Sequence, residues 1–250
     1  MSDICYKKNF LKQVIAKIEF ANPLTNISND TFLEALQEIK HRFPISEQGV
    51  GVFQNIQVGE DGGAKTSKNE FSEWIFHGED RDKYLRFNQH FFEVVLSKYH
   101  SEKDFISDII QPVCALMGRN SSSLVLRTSV RFVNIFDIDF PNIDIIKDLF
   151  DPMITTHFPS SESLKTCTRS FLVNEYLEDE IKYRVQTGLF NPDYPAIIKR
   201  RHFVIDIDAY VDFPHKISDV ENYLKDSHSG VQKMFESLIT DKLRGDYLNV

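Results

Sequence analysis

Two aspartates separated by one residue are the feature of this sequence that could hold a metal ion. Asp206 and Asp208 lie in the alternating run 203–211, so both carboxylates should project from the same face of a β-strand. Paired carboxylates of this kind can bind Mg²⁺ and serve a nuclease or phosphodiesterase. The wet side of an antiparallel sheet has the same pattern, and no third carboxylate stands at a defined position. We therefore favour the structural interpretation, predict no metal site, and keep the metal-dependent hydrolase as an alternative.

Two arginines share the polar face of the longest alternating segment, 123–135. Arg127 and Arg131 point away from the apolar side chains of that segment. Three more basic residues hold comparable outward positions in other predicted strands: Arg86, Lys182 and Arg184. In one sheet these cations should pair with Asp206 and Asp208, and exposed pairs contribute only about 0–1 kcal/mol each. The functional alternative is a charged platform whose guanidinium groups bind an anionic ligand or a partner chain.

The histidines do not stand at a metal-ligand or catalytic spacing. His228 lies between two predicted helices, where it can cap a helix or act as a general base. Without a nucleophile beside it, we favour the capping role. The candidate binding residues are therefore Arg127, Arg131, Asp206, Asp208 and His228, and no catalytic residue is predicted.

The motifs of several large enzyme classes are absent from the sequence. It has no GxGxxG or Walker loop, no GxSxG elbow, no CxxC pair and no protein-kinase signature. Dinucleotide oxidoreductases, nucleotide-driven motors, α/β-hydrolases and zinc ribbons are therefore disfavoured, and no cofactor is expected. An unfamiliar catalytic arrangement stays open, although we favour a protein without enzymatic activity.

Charge, cysteines and hydropathy limit the ligands and the location of the protein. The 250 residues carry a net charge of −8, which disfavours non-specific binding to nucleic acid. The three cysteines, Cys5, Cys114 and Cys167, indicate neither a disulfide framework nor a thiolate zinc site. The first residues lack the apolar core of a signal peptide, and no apolar run reaches the roughly 20 residues that span a bilayer. We expect a cytoplasmic protein that does not bind membranes.

The elements that must position the charged residues are mostly short strands. Alternating patterns predict strands at 11–20, 50–58, 71–77, 83–88, 91–99, 123–135, 166–176, 181–187 and 202–211. The polar, glycine-containing segment 59–70 predicts a mobile hairpin loop.

Helical spacing of apolar residues predicts five helices. The first begins at Asn29 or Asp30 and ends before Pro44. The second begins at a capping box of Ser101 and Asp104 and ends at Gly118, and Pro112 should kink or end it. The other three lie near 142–150, after a capping box that starts at Ser218, and at 229–243.

These elements predict an α+β fold of antiparallel sheets with helices packed on one face, with two similar sheet-plus-helix halves as an option. A polar stretch with two prolines places a boundary after residue 150. It separates an N-terminal α+β half (1–150) from a C-terminal α+β half (151–250), and one continuous domain is the alternative. The segments 83–117 and 201–243 share the order of strands followed by a helix, which is a weak repeat.

Two stretches of the sequence carry a resemblance to a known family. They are the arginine-containing segment 126–134, and the segment 203–210 with His228 and the final run 235–243. With these motifs nearly the whole chain resembles a sporadically distributed family of uncharacterised bacterial proteins of similar length. Ser129 departs from the family pattern, which has a glycine there. The resemblance implies no established activity, and the patchy distribution of the family implies a link to mobile or defence genes.

Taken together, these features favour a non-catalytic protein that binds or regulates a protein partner. It would act as an accessory or inhibitory subunit in a bacterial defence or toxin-linked system. One alternative is a metal-dependent phosphodiesterase or nuclease that uses Asp206 and Asp208, and another is a sensor of a small anionic ligand. A homo-oligomer also stays open.

Overall fold

The chain folds into an antiparallel sheet with helices on one face. The structure is a computed structural model that describes residues 6–8, 10–24, 37, 39–58, 64–117, 123–138, 143–158, 160, 162–200 and 202–249. The described strands are β1 (Leu11–Phe20), β2 (Ile45–Val58), β3 (Ala64–His77), β4 (Lys83–Phe87), β5 (Phe91–Leu96), β6 (Leu124–Phe136), β7 (Ser170–Glu178), β8 (Ile181–Phe190), β9 (His202–Val211) and β10 (His215–Lys216). The described α-helices are α1 (Glu102–Phe105), α2 (Gln111–Met117), α3 (Ile143–Leu149), α4 (Pro152–Thr155), α5 (Val220–Leu238) and α6 (Asp241–Leu243).

The strands form one sheet in the order β2-β3-β4-β5-β1-β6-β9-β8-β7, and β10 pairs with β6. Neighbouring strands are antiparallel throughout. Because β6 pairs with β9, the sheet runs through the boundary that was predicted after residue 150. The predicted α+β fold, with helices against an antiparallel sheet, is confirmed.

One face of the sheet carries the hydrophobic core. The side chains of β6 and β9 on this face are largely apolar, and Phe136 and Phe203 are fully buried. The ring of Phe150, which follows α3, packs on both of them, with centroid separations of 4.9 and 4.3 Å. Helix α5 buries Leu224 and Val231 in the same core. Burial of each such side chain contributes about 1.5–3 kcal/mol, so this face anchors the helices.

The predicted strands at 11–20 and 202–211 are confirmed by β1 and β9, whereas the predicted loop at 59–70 is largely wrong. β3 begins at Ala64 and pairs with β2 from Val58↔Ala64 to Ile45↔His77. The backbone ladder therefore extends the strand through residues whose polar composition predicted a loop. Residues 59–63 lie outside the described residues, as do residues 29–36 and 38 of the first predicted helix.

A capping box starts the helical segment after β5, and a π-helical turn lets it continue past Pro112. The Ser101 hydroxyl accepts a hydrogen bond from the Asp104 backbone N–H, and the Asp104 carboxylate reaches back to the backbone of Ser101, so the predicted capping box is confirmed. The expected end at Pro112 does not occur, since α2 continues to Met117. A π-helical turn, Ile106–Ile110, precedes the proline, and such turns relax the hydrogen-bond ladder that a proline would break.

Helix α5 replaces two predicted helices with one. It runs through His228, where the sequence predicted the gap between the two helices, and Tyr183 of β8 packs directly against Gly230 of this helix. A Cβ at Gly230 would collide with the Tyr183 hydroxyl. The box predicted at Ser218 does not form, since the Ser218 hydroxyl bonds the Asp219 carboxylate instead. None of the described helices is long and apolar enough to cross a membrane.

The two halves of the sheet have matching connectivity. In each half, an initial strand (β1 or β6) pairs with the last strand of the meander that follows it (β5 or β9). A helix then follows each meander, and β1 and β6 pair antiparallel at the centre of the sheet. The centre of the sheet is therefore built from equivalent strands of the two halves.

The contact between Gly230 and Tyr183 gives the first prediction. Gly230→Ala should destabilise the protein by about 1–3 kcal/mol, because the added methyl group overpacks the helix–sheet contact. The change is to be measured as the free energy of unfolding in urea.

Gly245→Ala is the matched control, since nothing lies within 4 Å of a Cβ at that position. There the higher helix propensity of alanine should leave stability unchanged or raise it by up to about 1 kcal/mol. Equal effects of the two substitutions would contradict the packing role of Gly230.

Candidate functional site

Four of the five candidate residues meet on the side of the sheet opposite to the hydrophobic core. Arg127 and Arg131 of β6 and Asp206 and Asp208 of β9 share this side, which we call the open face. The side-chain period of two places them there, since their neighbours in sequence fill the core. The register sets Arg131 directly opposite Asp208. The sequence-predicted charged cluster therefore forms across one strand pair.

The two arginines bind the two aspartates diagonally across the strands. Arg131 holds Asp206 with a two-pronged contact, Nε to Oδ1 at 2.7 Å and Nη2 to Oδ2 at 2.5 Å. Arg127 donates from Nη2 to Oδ2 of Asp208 at 2.8 Å. The Asp206 side chain is only 5% exposed, whereas that of Arg131 is 43% exposed. The pair thus buries a carboxylate but leaves part of its guanidinium open to solvent.

The ring of Tyr210 packs against the guanidinium group of Arg127. The guanidinium of Arg127 lies 3.7 Å from the centre of the Tyr210 ring. Cation–π contacts of this kind contribute about 0.5–1 kcal/mol at exposed sites and more when desolvated. Arg127 is thus held between the Tyr210 ring and the Asp208 carboxylate, and its side chain has a defined position.

Asp208 lies among three guanidinium groups. It bonds Arg127, stands opposite Arg131 on one side and opposite Arg184 of β8 on the other. Burial nevertheless raises the pKa of Asp208, because desolvation outweighs the lowering by Arg127 and Arg131, and the nearby Asp206 also raises it. The hydrogen bond to Asp206 raises the pKa of Arg131. The pKa of Asp208 is thus moved towards neutral pH.

Arg184 has no carboxylate partner within the described part of the chain. Its Nη2 donates to the amide oxygen of Gln186 at 3.0 Å. Glu175 of the neighbouring β7 stands opposite it, yet the two side chains make no ion pair. Lys182, two residues from Arg184 and on the same face of β8, forms an ion pair with Asp212 at 2.8 Å. Arg184 is therefore a half-buried cation whose charge is not locally neutralised by direct contact.

Three charged residues lie side by side across the strands in each half of the open face. We call Arg131, Asp208 and Arg184 the C-terminal row, and Lys17, Glu93 and Arg86 the N-terminal row. Glu93 of β5 stands opposite Lys17 of β1 and Arg86 of β4, as Asp208 stands opposite Arg131 and Arg184. Arg86 pairs with Glu93 at 2.8 Å, and Lys17 pairs with Glu19 at 2.6 Å. Sequence reasoning placed Arg86 outward but did not connect it with Lys17 and Glu93. The alternating pattern of β1 could have placed Lys17 on the open face. Strand β5 is buried on both faces, so its sequence has no alternation that could place Glu93 there.

His228 is not part of the open face. It lies within α5 on the core side of the sheet, 3% exposed, with its Nε2 2.7 Å from the Tyr99 hydroxyl. Its ring packs on Phe105 of α1 at a centroid distance of 4.3 Å. The predicted capping position is wrong, because α5 is continuous through this residue.

The carboxylates of Asp206 and Asp208 are engaged by arginines rather than grouped as metal ligands. Both oxygens of Asp206 bond Arg131, and one oxygen of Asp208 bonds Arg127. Among the residues that the structure describes, no group of three or more histidine, cysteine, aspartate or glutamate side chains is placed to hold a metal ion. The geometry is that of a paired, ordered surface.

No family model matches the chain, and no curated protein is similar to it. The resemblance to a sporadically distributed bacterial family therefore stays an expectation from the sequence.

The unequal burial of the two aspartates gives the second prediction. Asp206→Asn should lower the free energy of unfolding by about 1–3 kcal/mol, because it removes the charge that the two-pronged contact of Arg131 requires. Asp208→Asn is the matched variant, and its effect should stay below about 1 kcal/mol, since burial already disfavours the charged form of Asp208. Equal losses in urea unfolding would contradict this assignment.

The raised pKa of Asp208 gives the third prediction, for the dependence of stability on pH. Between the unfolded pKa of aspartate, about 3.9, and the higher folded pKa, the native state binds more protons, so this group lowers stability as pH rises. The stability of Asp208→Asn relative to the wild type should therefore increase with pH across this window and then level off. A relative stability that falls with pH, measured by urea unfolding at each pH, would contradict the raised pKa.

Proposed function

We propose that this protein is a non-catalytic binding protein that recognises an acidic segment of a protein partner through the C-terminal half of the open face. The observation that carries the proposal is Arg184, a half-buried guanidinium that lies among ordered charges without a carboxylate of its own. An external carboxylate would supply the partner that this cation lacks.

The arginines of the open face retain donors for such a contact. Each guanidinium has five N–H groups in a fixed fork. Arg131 uses Nε and Nη2 for Asp206, Arg127 uses Nη2 for Asp208, and Arg184 uses Nη2 for Gln186. The remaining N–H groups can donate hydrogen bonds to an anionic group without breaking the existing pairs, so binding needs little rearrangement.

The surroundings of Arg184 favour a polypeptide as the ligand. On β7, beside Arg184, three apolar side chains of the same face are exposed: Phe171, Val173 and Leu177. Exposed apolar groups next to a cation suit a chain that offers both an acidic and an apolar side chain. The net charge of −8 works against a nucleic acid, since each phosphate of a long polyanion is repelled by the whole molecule, whereas a segment with one carboxylate at Arg184 meets this repulsion only once.

The hydrolase alternative has less support than binding. A metal-dependent phosphodiesterase would need free oxygens of Asp206 and Asp208. Three of the four carboxylate oxygens of these residues already accept hydrogen bonds from arginines. A sensor of a small anion would use the same arginines but not the exposed apolar residues of β7. The role as an accessory or inhibitory subunit in a defence system is drawn from the sequence resemblance alone.

The fourth prediction tests the role of Arg184 in partner binding. Tagged wild-type protein should capture a specific protein from cells that express it, and Arg184→Glu should weaken the isolated complex at least tenfold, or by about 1.4 kcal/mol. Affinity should be measured by calorimetry at several salt concentrations, since a charge contact weakens as salt is raised.

Lys147→Glu is the matched control, because it makes the same charge change on α3, on the core side of the sheet, where Lys147 has only an exposed pair with Asp144. This variant should bind as the wild type does. Equal binding by Arg184→Glu and Lys147→Glu would contradict the proposed site. Stabilisation of the wild type by nucleotides, lost in Arg184→Glu, would instead favour the small-anion sensor.

A further inference from the structure

Strand β7 ends one side of the sheet, and its outer edge is not paired by any strand that the structure describes. An edge strand presents backbone N–H and C=O groups that can pair with another chain. Proteins protect such edges with charged residues, prolines or bulges. The charge and apolar pattern of β7 therefore bear directly on what pairs with it.

The edge strand is apolar rather than protected. On its open face Phe171, Val173 and Leu177 are 37%, 44% and 66% exposed, and Glu175 is the one charged residue of the strand on that face. On the other face Leu172 and Tyr176 are half buried. Nine residues of regular strand with exposed apolar groups form a surface that fits another strand.

The turn after β7 sets which backbone groups point outward. Asp179 and Glu180 connect the paired residues Glu178 and Ile181, and Asp179 has a positive φ of 53°. A two-residue turn closes on a hydrogen-bonded pair, and bonded and non-bonded pairs then alternate along the ladder. The outward backbone groups therefore belong to the odd-numbered residues of the strand, from Phe171 to Leu177.

We propose that β7 pairs antiparallel with β7 of a second copy of this chain, with Asn174 on the twofold axis. This register joins odd residues with odd residues, as the outward backbone groups require, and it pairs all nine residues of the strand. Phe171 then faces Leu177 of the second copy, and Val173 faces Glu175. On the other face, Leu172 meets Tyr176. The dimer contains one sheet that continues through both copies.

Charges favour this register over its neighbour. A shift of two residues that sets Glu175 opposite Glu175 places like charges in direct contact, which destabilises a strand pair. With Asn174 on the axis, the two Glu175 side chains are diagonal neighbours about 7–8 Å apart. Arg184 stands beside each Glu175 on β8, without another carboxylate, and can neutralise it.

Disulfide trapping tests the register. In a background in which Cys5, Cys114 and Cys167 are serines, Asn174→Cys should form a disulfide-linked dimer on mild oxidation. The two cysteines would face each other across a non-hydrogen-bonded pair, whose Cβ separation suits a disulfide. Leu177→Cys is the matched control. It is more exposed, but its two copies would lie six residues apart along the strands, or about 20 Å, and should not link.

Sedimentation of the full chain provides an independent readout. The wild type should sediment as a dimer of the 29.1 kDa chain at high concentration, and Leu177→Asp should sediment as a monomer. At a concentration where the wild type is also monomeric, the two proteins should have the same melting temperature. A monomeric wild type at every concentration, or equal disulfide yields from the two cysteine variants, would overturn the proposal. Neither experiment needs the protein partner proposed above, so the two proposals can fail separately.

Discussion

The in-register pairing of β6 with β9 is the constraint on which the rest of the structure depends. It joins the strands of the two halves into one sheet and decides which side chains face the helices. A slip of one residue would turn Phe132 outward and Arg131 into the core, because the side-chain period of a strand is two. The two-pronged contact between Arg131 and Asp206 opposes such a slip, since a shift of one residue would place its two members on opposite faces of the sheet.

Charges on the open face specify the fold more than they stabilise it. A buried ion pair gains little over an apolar pair of the same shape, but it penalises every arrangement that separates its members. The arginine partners of the buried carboxylates Asp206 and Glu93 are partly exposed on this face, Arg131 by 43% and Arg86 by 36%. In the described part of the chain, the sheet therefore has one dry and one charged face, and the arginines of the charged face are accessible for binding.

Local periodicity predicted the strands well, and long-range contacts account for what it missed. The alternation at 11–20 and 202–211 predicted β1 and β9, because a strand with one buried face has apolar residues at every second position of its own sequence. The continuity of α5 could not be predicted in this way, since the reason for Gly230 is the Tyr183 ring, about 50 positions earlier in sequence. His228 was misplaced for the same reason. The diagonal pairing of Arg127 and Arg131 with the aspartates required a register that only the assembled sheet defines.

The two charged rows differ in a way that favours the C-terminal half for binding. In the N-terminal row each cation has a carboxylate, since Arg86 bonds Glu93 and Lys17 bonds Glu19. In the C-terminal row Asp208 holds the place of Glu93, but it accepts its hydrogen bond from Arg127, which lies outside the row. Arg184 is left with an amide oxygen instead of a carboxylate, and it lies next to the apolar edge strand β7. The extra arginine of β6 thus converts a self-neutralised row into one that has a cation available to a ligand, a partner or a second copy of the chain.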